Sequence, residues 1–227
     1  MIKKTDYDNS SQMTLSMLSH EIRNHLTLIY STLQLIESQH PEVKGFKYWS
    51  DLHRDFDDMT LLLHELSDYN NSQKLHLTTV NSEAFFKKLA LSFAADAMNH
   101  HIQFTSRIDP TLPNLSCDEI KLRQVILNLL SNARDAVIDT HEPSIYLSVT
   151  GSTDTIHIVV EDNGCGIPDD KLCNIFEPFI TYKKNGTGLG LAISSRIMKA
   201  HHGSIHVSSV PCHGTTFSLT LPVKQDT

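Results

Sequence analysis

Nothing in the 227 residues approaches the ~20 consecutive apolar residues that a membrane-spanning helix needs. The opening Met1-Ile2-Lys3-Lys4-Thr5-Asp6 leads into polar sequence and has none of the apolar core of a secretory leader, so a soluble, cytoplasmic chain is expected. Cysteine is scarce, and Cys117, Cys165, Cys173 and Cys212 lie apart with no Cys-x-x-Cys pair, which points to reduced thiols. Basic residues are outnumbered, 19 Lys and Arg against 26 Asp and Glu, for a net charge of −7. Without clustered Lys and Arg, a general nucleic-acid surface is excluded. There is no internal repeat and no low-complexity tract. What remains is 40% hydrophobic and 20% charged, the composition of folded globular protein with room for more than one module.

Apolar residues at Leu15, Leu18, Ile22, Leu26, Ile29, Leu33 and Ile36 recur at helical spacing and predict a helix from about Ser11 to Ser38. If Leu15, Ile22, Ile29 and Ile36 share one heptad position, His20 falls on the opposite, solvent side. Asn24, four residues on, shares its face, and Glu21 points about 100° away. Pro41 and Gly45 break the helix. Trp49, Leu52, Phe56, Met59, Leu63 and Leu66 then alternate spacings of three and four, the seam of a coiled coil. Two such helices form a hairpin that buries only part of a two-sided apolar face. A second copy completing a four-helix bundle would bury the rest, so a homodimer through residues 11–70 is expected.

The polar stretch Asn70-Asn71-Ser72-Gln73-Lys74 ends the heptads, and the pattern becomes mixed strands and helices. Strands are expected at Leu75–Val80, Ile102–Ile108, Ile145–Thr150, Ile156–Glu161, Ser204–Ser209 and Thr215–Leu221. Helices are expected at Ser82–Met98 behind Asn81 as cap, from a capping box at Ser116-Cys117-Asp118-Glu119 through Ile138, and from Gly188 to Ala200. Hairpin-like strand pairs mixed with helices indicate an α+β sandwich with helices on one sheet face.

Three stretches of this second part suit a nucleotide. Asn128, Asn132 and Asp135 share one helix face, an oxygen-rich surface of the kind that holds Mg²⁺ beside phosphates. A solvated polar face explains that helix equally well when it is taken alone. Asp162-Asn163-Gly164-Cys165-Gly166-Ile167 follows an apolar strand. A strand-end carboxylate there can accept from an adenine amino group, although Asp-Asn-Gly is also an ordinary turn signal. Gly186-Thr187-Gly188-Leu189-Gly190-Leu191 runs into a helix whose first N–H groups attract phosphate, with Lys183 and Lys184 placed to neutralise charge. It lacks the Gly-Lys-Ser/Thr of a Walker loop. Phe176-Glu177-Pro178-Phe179 supplies anchors for a lid from about Glu177 to Gly186. Cys165 reads as a small filler, and the pairs His100-His101 and His201-His202 as surface residues without companion metal ligands.

Taken together, these stretches resemble the sensor histidine kinases of two-component signalling. Ser19-His20-Glu21-Ile22-Arg23-Asn24 is similar to the phosphoacceptor box, and Asn128-Leu129-Leu130-Ser131-Asn132-Ala133 to the asparagine box. Asp162 to Gly166, Phe176 to Phe179 and Gly186 to Gly190 resemble the first glycine, phenylalanine and second glycine boxes, and Gly214-Thr215 the last glycine motif. The order is right and nearly the whole chain is covered. The short lid and the Asn-Ala-Arg-Asp-Ala helix end look most like the nitrogen-regulation and sporulation branch.

The resemblance implies a multidomain chain. Residues 1–10 would be a polar tail, 11–70 an all-α dimerisation and phosphotransfer hairpin, 71–76 a linker, and 77–224 an α+β sandwich ATPase domain of the histidine kinase, gyrase and chaperone type. It implies ATP and Mg²⁺ as cofactors, with Asn128 and Asn132 binding Mg²⁺–ATP and Asn132 the more direct ligand. Asp135 would line the same site, Asp162 would read adenine, and Gly164 and Gly166 would shape its pocket. Lys183, Gly186, Thr187, Gly188, Leu189 and Gly190 would form the phosphate side. His20 would take the γ-phosphoryl group with Glu21 as base or orienting group, then pass it to an aspartate of a response regulator. Asn24 would position water for dephosphorylating that partner. The chain departs from the pattern at His25, where proline is usual, and at His202, where glycine is usual. His25 falls in the heptad seam and reads as a polar residue tolerated there. Two alternatives come from other classes: an ATPase or serine kinase on the same nucleotide fold, and a dimeric scaffold with weak catalysis.

Overall fold

The computed structural model describes residues 4–183 and 186–225, with side chains from residue 21 onward. The chain divides into two compact units, Met1–Asn71 and Ser72–Thr227.

The first unit is a helical hairpin. Helix α1 spans Lys4–Gln39, so its backbone is already helical well before Ser11, and α2 spans Trp49–Asn71. A 3₁₀ turn, Pro41–Gly45, opens on a proline that fits an N-terminal helical position and buries Val43 between them. Glu37 pins the turn. Its Oε1 accepts from Trp49 Nε1 at 2.7 Å and lies 3.0 Å from His53 Nε2. The Trp49 bond is the main reason the Glu37 carboxyl sits below its ordinary range.

The helices meet along Leu26 and Leu63, both buried, with Tyr30 packed against His53 and Phe56. The heptad position Ile22, Ile29, Ile36 is not at this seam. These residues stay 44%, 47% and 37% exposed, as do Leu52 and Met59 of α2 in large part. His25 is also exposed on this side, in keeping with a polar residue there.

The second unit is a two-layer α+β sandwich. Its main sheet is built from β2 (Gln103–Ile108), β4 (Ser144–Gly151), β5 (Thr155–Asp162), β6 (Ser204–Val210) and β7 (Gly214–Pro222), ordered β2-β4-β5-β7-β6. The pairs β4/β5, β5/β7 and β6/β7 are antiparallel and β2/β4 is parallel. Burial alternates residue by residue along β4 and β5, so one sheet face is covered. Three helices cover it: α3 (Ser82–Asn99), α4 (Glu119–Val137) and α6 (Gly190–Ala200). Phe86, Leu89, Leu122, Ile126, Leu129 and Leu130 from the helices meet Ile145, Leu147, Ile156 and Ile158 from the strands, all fully buried. A short helix α5 (Asp169–Leu172) precedes the phenylalanine-rich loop.

Helix α3 starts as the sequence indicates, with Asn81 Oδ1 accepting from Ala84 N at 2.9 Å. Helix α4 does not use the expected capping box. Ser116 belongs to a strand, β3 (Leu115–Cys117), paired antiparallel with β1 (Thr78–Val80), and the cap is Asp118, whose Oδ1 accepts from Lys121 N at 3.1 Å. The other carboxylate oxygen, Oδ2, accepts from His76 N at 2.9 Å and ties the start of this unit to α4.

His201 overturns its reading as a surface residue. It is fully buried, its Nε2 accepting from Asp118 N at 3.0 Å and its Nδ1 lying 2.9 Å from Ile197 O. The ring is therefore neutral with its proton on Nδ1, and burial pushes its pKa below the ordinary value. His202 is exposed at φ 53°, the left-handed region where a helix end ordinarily uses glycine.

Candidate functional site

Helix α4 is the element around which the site is assembled. Leu122, Val125, Ile126, Leu129, Leu130 and Ala133 point into the core, which turns Asn128, Asn132 and Asp135 to its partly exposed side. One turn beyond Asn132, the carbonyl of Ala136 accepts from Cys165 N at 3.1 Å, so the glycine turn after β5 is bonded directly to this helix. Asp162, at the end of β5, is buried and its Oδ1 accepts from Gly164 N at 2.9 Å. Burial raises the pKa of its carboxyl, against the opposing bonds from Gly164 and Thr215. The turn thus carries one buried carboxylate, bonded to its own backbone.

The glycine-rich segment approaches from the other side. Asn128 Nδ2 donates to Ser194 Oγ at 2.9 Å, and Ser194 Oγ donates to Gly190 O at 2.9 Å, which joins α4 to the first turn of α6. A Cβ on Gly190 would lie 2.5 Å from Asn128 Oδ1, so a larger residue there would displace the Asn128 side chain from its bond to Ser194. Leu189 is fully buried as the residue before α6, which therefore begins two residues later than expected. Its N–H donates to Thr187 Oγ1 at 3.3 Å. Phe179 N donates to Gly188 O at 3.0 Å and clamps the two ends of the intervening loop together. Gly186 N donates to Lys183 O at 3.4 Å. Lys184 lies outside the described residues.

Lys183 reaches back to α4, its Nζ standing 2.7 Å from both Asn132 Oδ1 and Asp135 Oδ2. An ammonium group thus sits where two oxygens of the helix face converge, so a cation fits this place. Burial alone would raise the Asp135 pKa, but Lys183 and Arg134 outweigh it and hold the carboxylate below its ordinary range. Arg134, which sequence reasoning did not single out, bonds Asp135 Oδ1 at 3.1 Å, Asp96 Oδ2 at 3.0 Å and Ser131 Oγ at 3.0 Å. Ser194 was also missed. Its only sequence signal is its place four residues after Gly190, and nothing local shows its partner on α4.

Asn132, Asp135 and Lys183 are therefore in contact, Gly164 and Cys165 abut Ala136 one residue beyond Asp135, Gly166 packs on Val210, and Asn128 stands at the α4–α6 junction. Glu21 and Asn24 are exposed on α1, and the His20 side chain lies outside the described residues. Among the described residues no helix is long and apolar enough to cross a membrane, and no cluster of three or more His, Cys, Asp or Glu could hold a metal. An oxygen site of asparagines and phosphates, as Mg²⁺ prefers, has no need of such a cluster.

A buried strand-end carboxylate, an asparagine-bearing helix and a glycine-rich loop gathered on one side of a mixed sheet define a nucleotide-binding ATPase domain. Residues 117–225 match the family described as histidine kinase-, DNA gyrase B- and HSP90-like ATPase. The chain is 32% identical over 207 residues to the signal transduction histidine-protein kinase AtoS of Escherichia coli, covering 91% of this chain and 34% of that protein. It is 32% identical over 222 residues to the sensory histidine kinase/phosphatase NtrB of Azospirillum brasilense, covering 92% and 54%. Among solved structures, full-length ShkA in complex with AMPPNP superposes with a TM-score of 0.77 at 25% identity, covering 94% of this chain and 46% of that one. The histidine kinase ThkA in complex with the response regulator TrrA shares the fold at 23% identity, with a TM-score of 0.66 over 98% of this chain and 64% of that one. Over nine-tenths of its length the chain is similar to these sensor histidine kinases, and it spans between about a third and a half of the length of the two curated relatives.

Proposed function

We propose that this chain is the catalytic core of a dimeric histidine protein kinase, which transfers the γ-phosphoryl group of ATP to His20 and then to an aspartate of a response regulator. The observation that carries the nucleotide half of this reading is the Lys183 ammonium held 2.7 Å from Asn132 Oδ1 and Asp135 Oδ2. That pair of oxygens favours a cation beside the Asp162 turn and the Gly186–Gly190 segment.

ATP would place its adenine against Asp162, which accepts from the amino group, and its phosphates along Gly186, Thr187, Gly188 and the start of α6. There the N-terminal amides and Lys183 favour negative charge. Asn132, and Asn128 beside it, would hold Mg²⁺, which neutralises phosphate charge and orients the transferred group. In the transfer, a ring nitrogen of His20 forms the N–P bond as the P–O bond to ADP breaks. Glu21 accepts the ring proton or fixes the tautomer that leaves a lone pair on phosphorus. Asn24, on the same face, would hold the water that dephosphorylates the partner. The exposed stripe Ile22, Ile29, Ile36 supports pairing of two hairpins into a four-helix bundle. The family and the NtrB relative's kinase/phosphatase description support the two-way chemistry.

Incubation with radiolabelled ATP and Mg²⁺ should give protein-bound label that is acid-labile and alkali-stable, absent from His20→Gln, and transferable to a receiver domain. Label of the same stability in the His20→Gln variant refutes the assignment.

A further inference from the structure

The turn that carries Asp162 is bonded to a second exposed cysteine. Cys165 lies between Gly164 and Gly166 and is exposed, so it fills no core space, contrary to the sequence reading. The N–H of Cys212 donates to the carbonyl of Cys165 at 2.8 Å, and Cys212 is exposed as well. A direct backbone bond of this kind brings two Cα atoms to roughly 5–6 Å, as in a β ladder, which is the Cα separation that a disulfide spans.

The surroundings hold the pair in register. Gly166 has φ 66° and packs so closely on the next hairpin that a Cβ there would lie 2.2 Å from Val210 O. Ile167 N donates to Ser209 Oγ at 2.7 Å. Cys212 occupies the third position of the turn Val210–His213, closed by His213 N donating to Val210 O at 3.0 Å. Its φ is 62°, where glycine or asparagine is usual. Cys212 thus holds a left-handed conformation that few side chains favour, with its N–H bonded to Cys165 and the residue exposed.

We propose that Cys165 and Cys212 form a reversible disulfide that locks the Asp162 turn to the β6–β7 hairpin and so weakens nucleotide binding. The disulfide stands on the cysteine geometry, and its effect on binding rests on the reading of that turn as the adenine site. With hydrogen peroxide as oxidant, one thiol becomes a sulfenic acid with loss of one water. The second thiol then displaces the hydroxyl, releasing another water as the S–S bond forms. Two thiols and one peroxide thus give one disulfide and two waters, and a dithiol reductant reverses the step. The other two cysteines serve as references. Cys117 is buried, and Cys173 is exposed at the end of α5, where its Sγ donates to Asp170 O.

The full chain should be treated with peroxide, alkylated and digested without reduction, then read by mass spectrometry. The expected product is a peptide linking Cys165 to Cys212, absent from Cys212→Ser and from Cys165→Ser and lost on reduction. Calorimetry should then show Mg²⁺–ATP bound at least tenfold more weakly by the oxidised protein, restored by dithiothreitol, with no peroxide effect in Cys212→Ser. A Cys165–Cys173 link, or separate sulfinic acids at Cys165 and Cys212, overturns the disulfide. Equal affinity before and after cross-linking overturns its regulatory effect. Failure of the reduced protein to bind nucleotide counts against the adenine reading alone, and the linked peptide still decides the disulfide.

Discussion

His201 shows how a single residue can be misread from its neighbours in sequence. Beside His202 it looks like one of an exposed pair, yet it is the acceptor for the Asp118 N–H, at 3.0 Å, in the interior. Its neutral form is required there, and its folded pKa lies below the ordinary 6.5. The unfolded chain therefore takes up this proton first as the pH falls, so stability is full above about pH 6.5 and declines below it. Thermal unfolding followed from pH 7 to pH 5 should show this decline, and His201→Gln should flatten it. His201→Ala leaves the buried Asp118 N–H unpaired and should cost about 1–3 kcal/mol. Asp162 allows a cleaner separation of fold from function. Asp162→Asn keeps an acceptor for Gly164 N, so unfolding should move by less than about 1 kcal/mol, whereas ATP affinity should fall roughly tenfold or more with loss of the charged acceptor. Unchanged affinity in calorimetry would remove Asp162 from adenine recognition.

At the scale of elements, the periodicity of α1 and α2 was plain in the sequence, but which positions face which partner was not. Ile22, Ile29 and Ile36 fit a heptad core, yet within the chain it is Leu26 that meets α2, because a broad apolar stripe can turn only one side to a single neighbour. The uncovered side is where a second hairpin would pack. Ile29→Asp should therefore halve the sedimenting mass while the far-ultraviolet spectrum keeps its helical signal. A wild-type monomer at micromolar concentration would contradict the bundle. The start of α4 carries a related lesson. Ser116 and Asp118 are both good caps, and the choice falls to Asp118 because Ser116 is drawn into a strand opposite Thr79, a pairing remote in sequence. Helix α4 itself was legible, since its core face and its Asn128, Asn132, Asp135 face alternate with the helical period.

For the whole molecule, the α+β sandwich followed from strand pairs and helices of recognisable period, and the β4/β5 and β6/β7 hairpins lie where paired strands were expected. The parallel β2/β4 pair and the crossing of α4 with α6 at Gly190 and Asn128 were not legible, because each depends on segments far apart in the chain. Motif order located the site residues, and distance alone revealed the Lys183 contact with Asn132 and Asp135. That ion pair is half exposed, so Lys183→Met should change stability by no more than about 1 kcal/mol. The central claim is that this α4 face receives Mg²⁺–ATP. Calorimetric titration of the full chain with ATP, with and without Mg²⁺, in wild type and Asn132→Ala, tests it most directly. The account predicts saturable binding that requires Mg²⁺ and weakens at least tenfold in the variant. Binding of equal strength in Asn132→Ala, or binding indifferent to Mg²⁺, would contradict it.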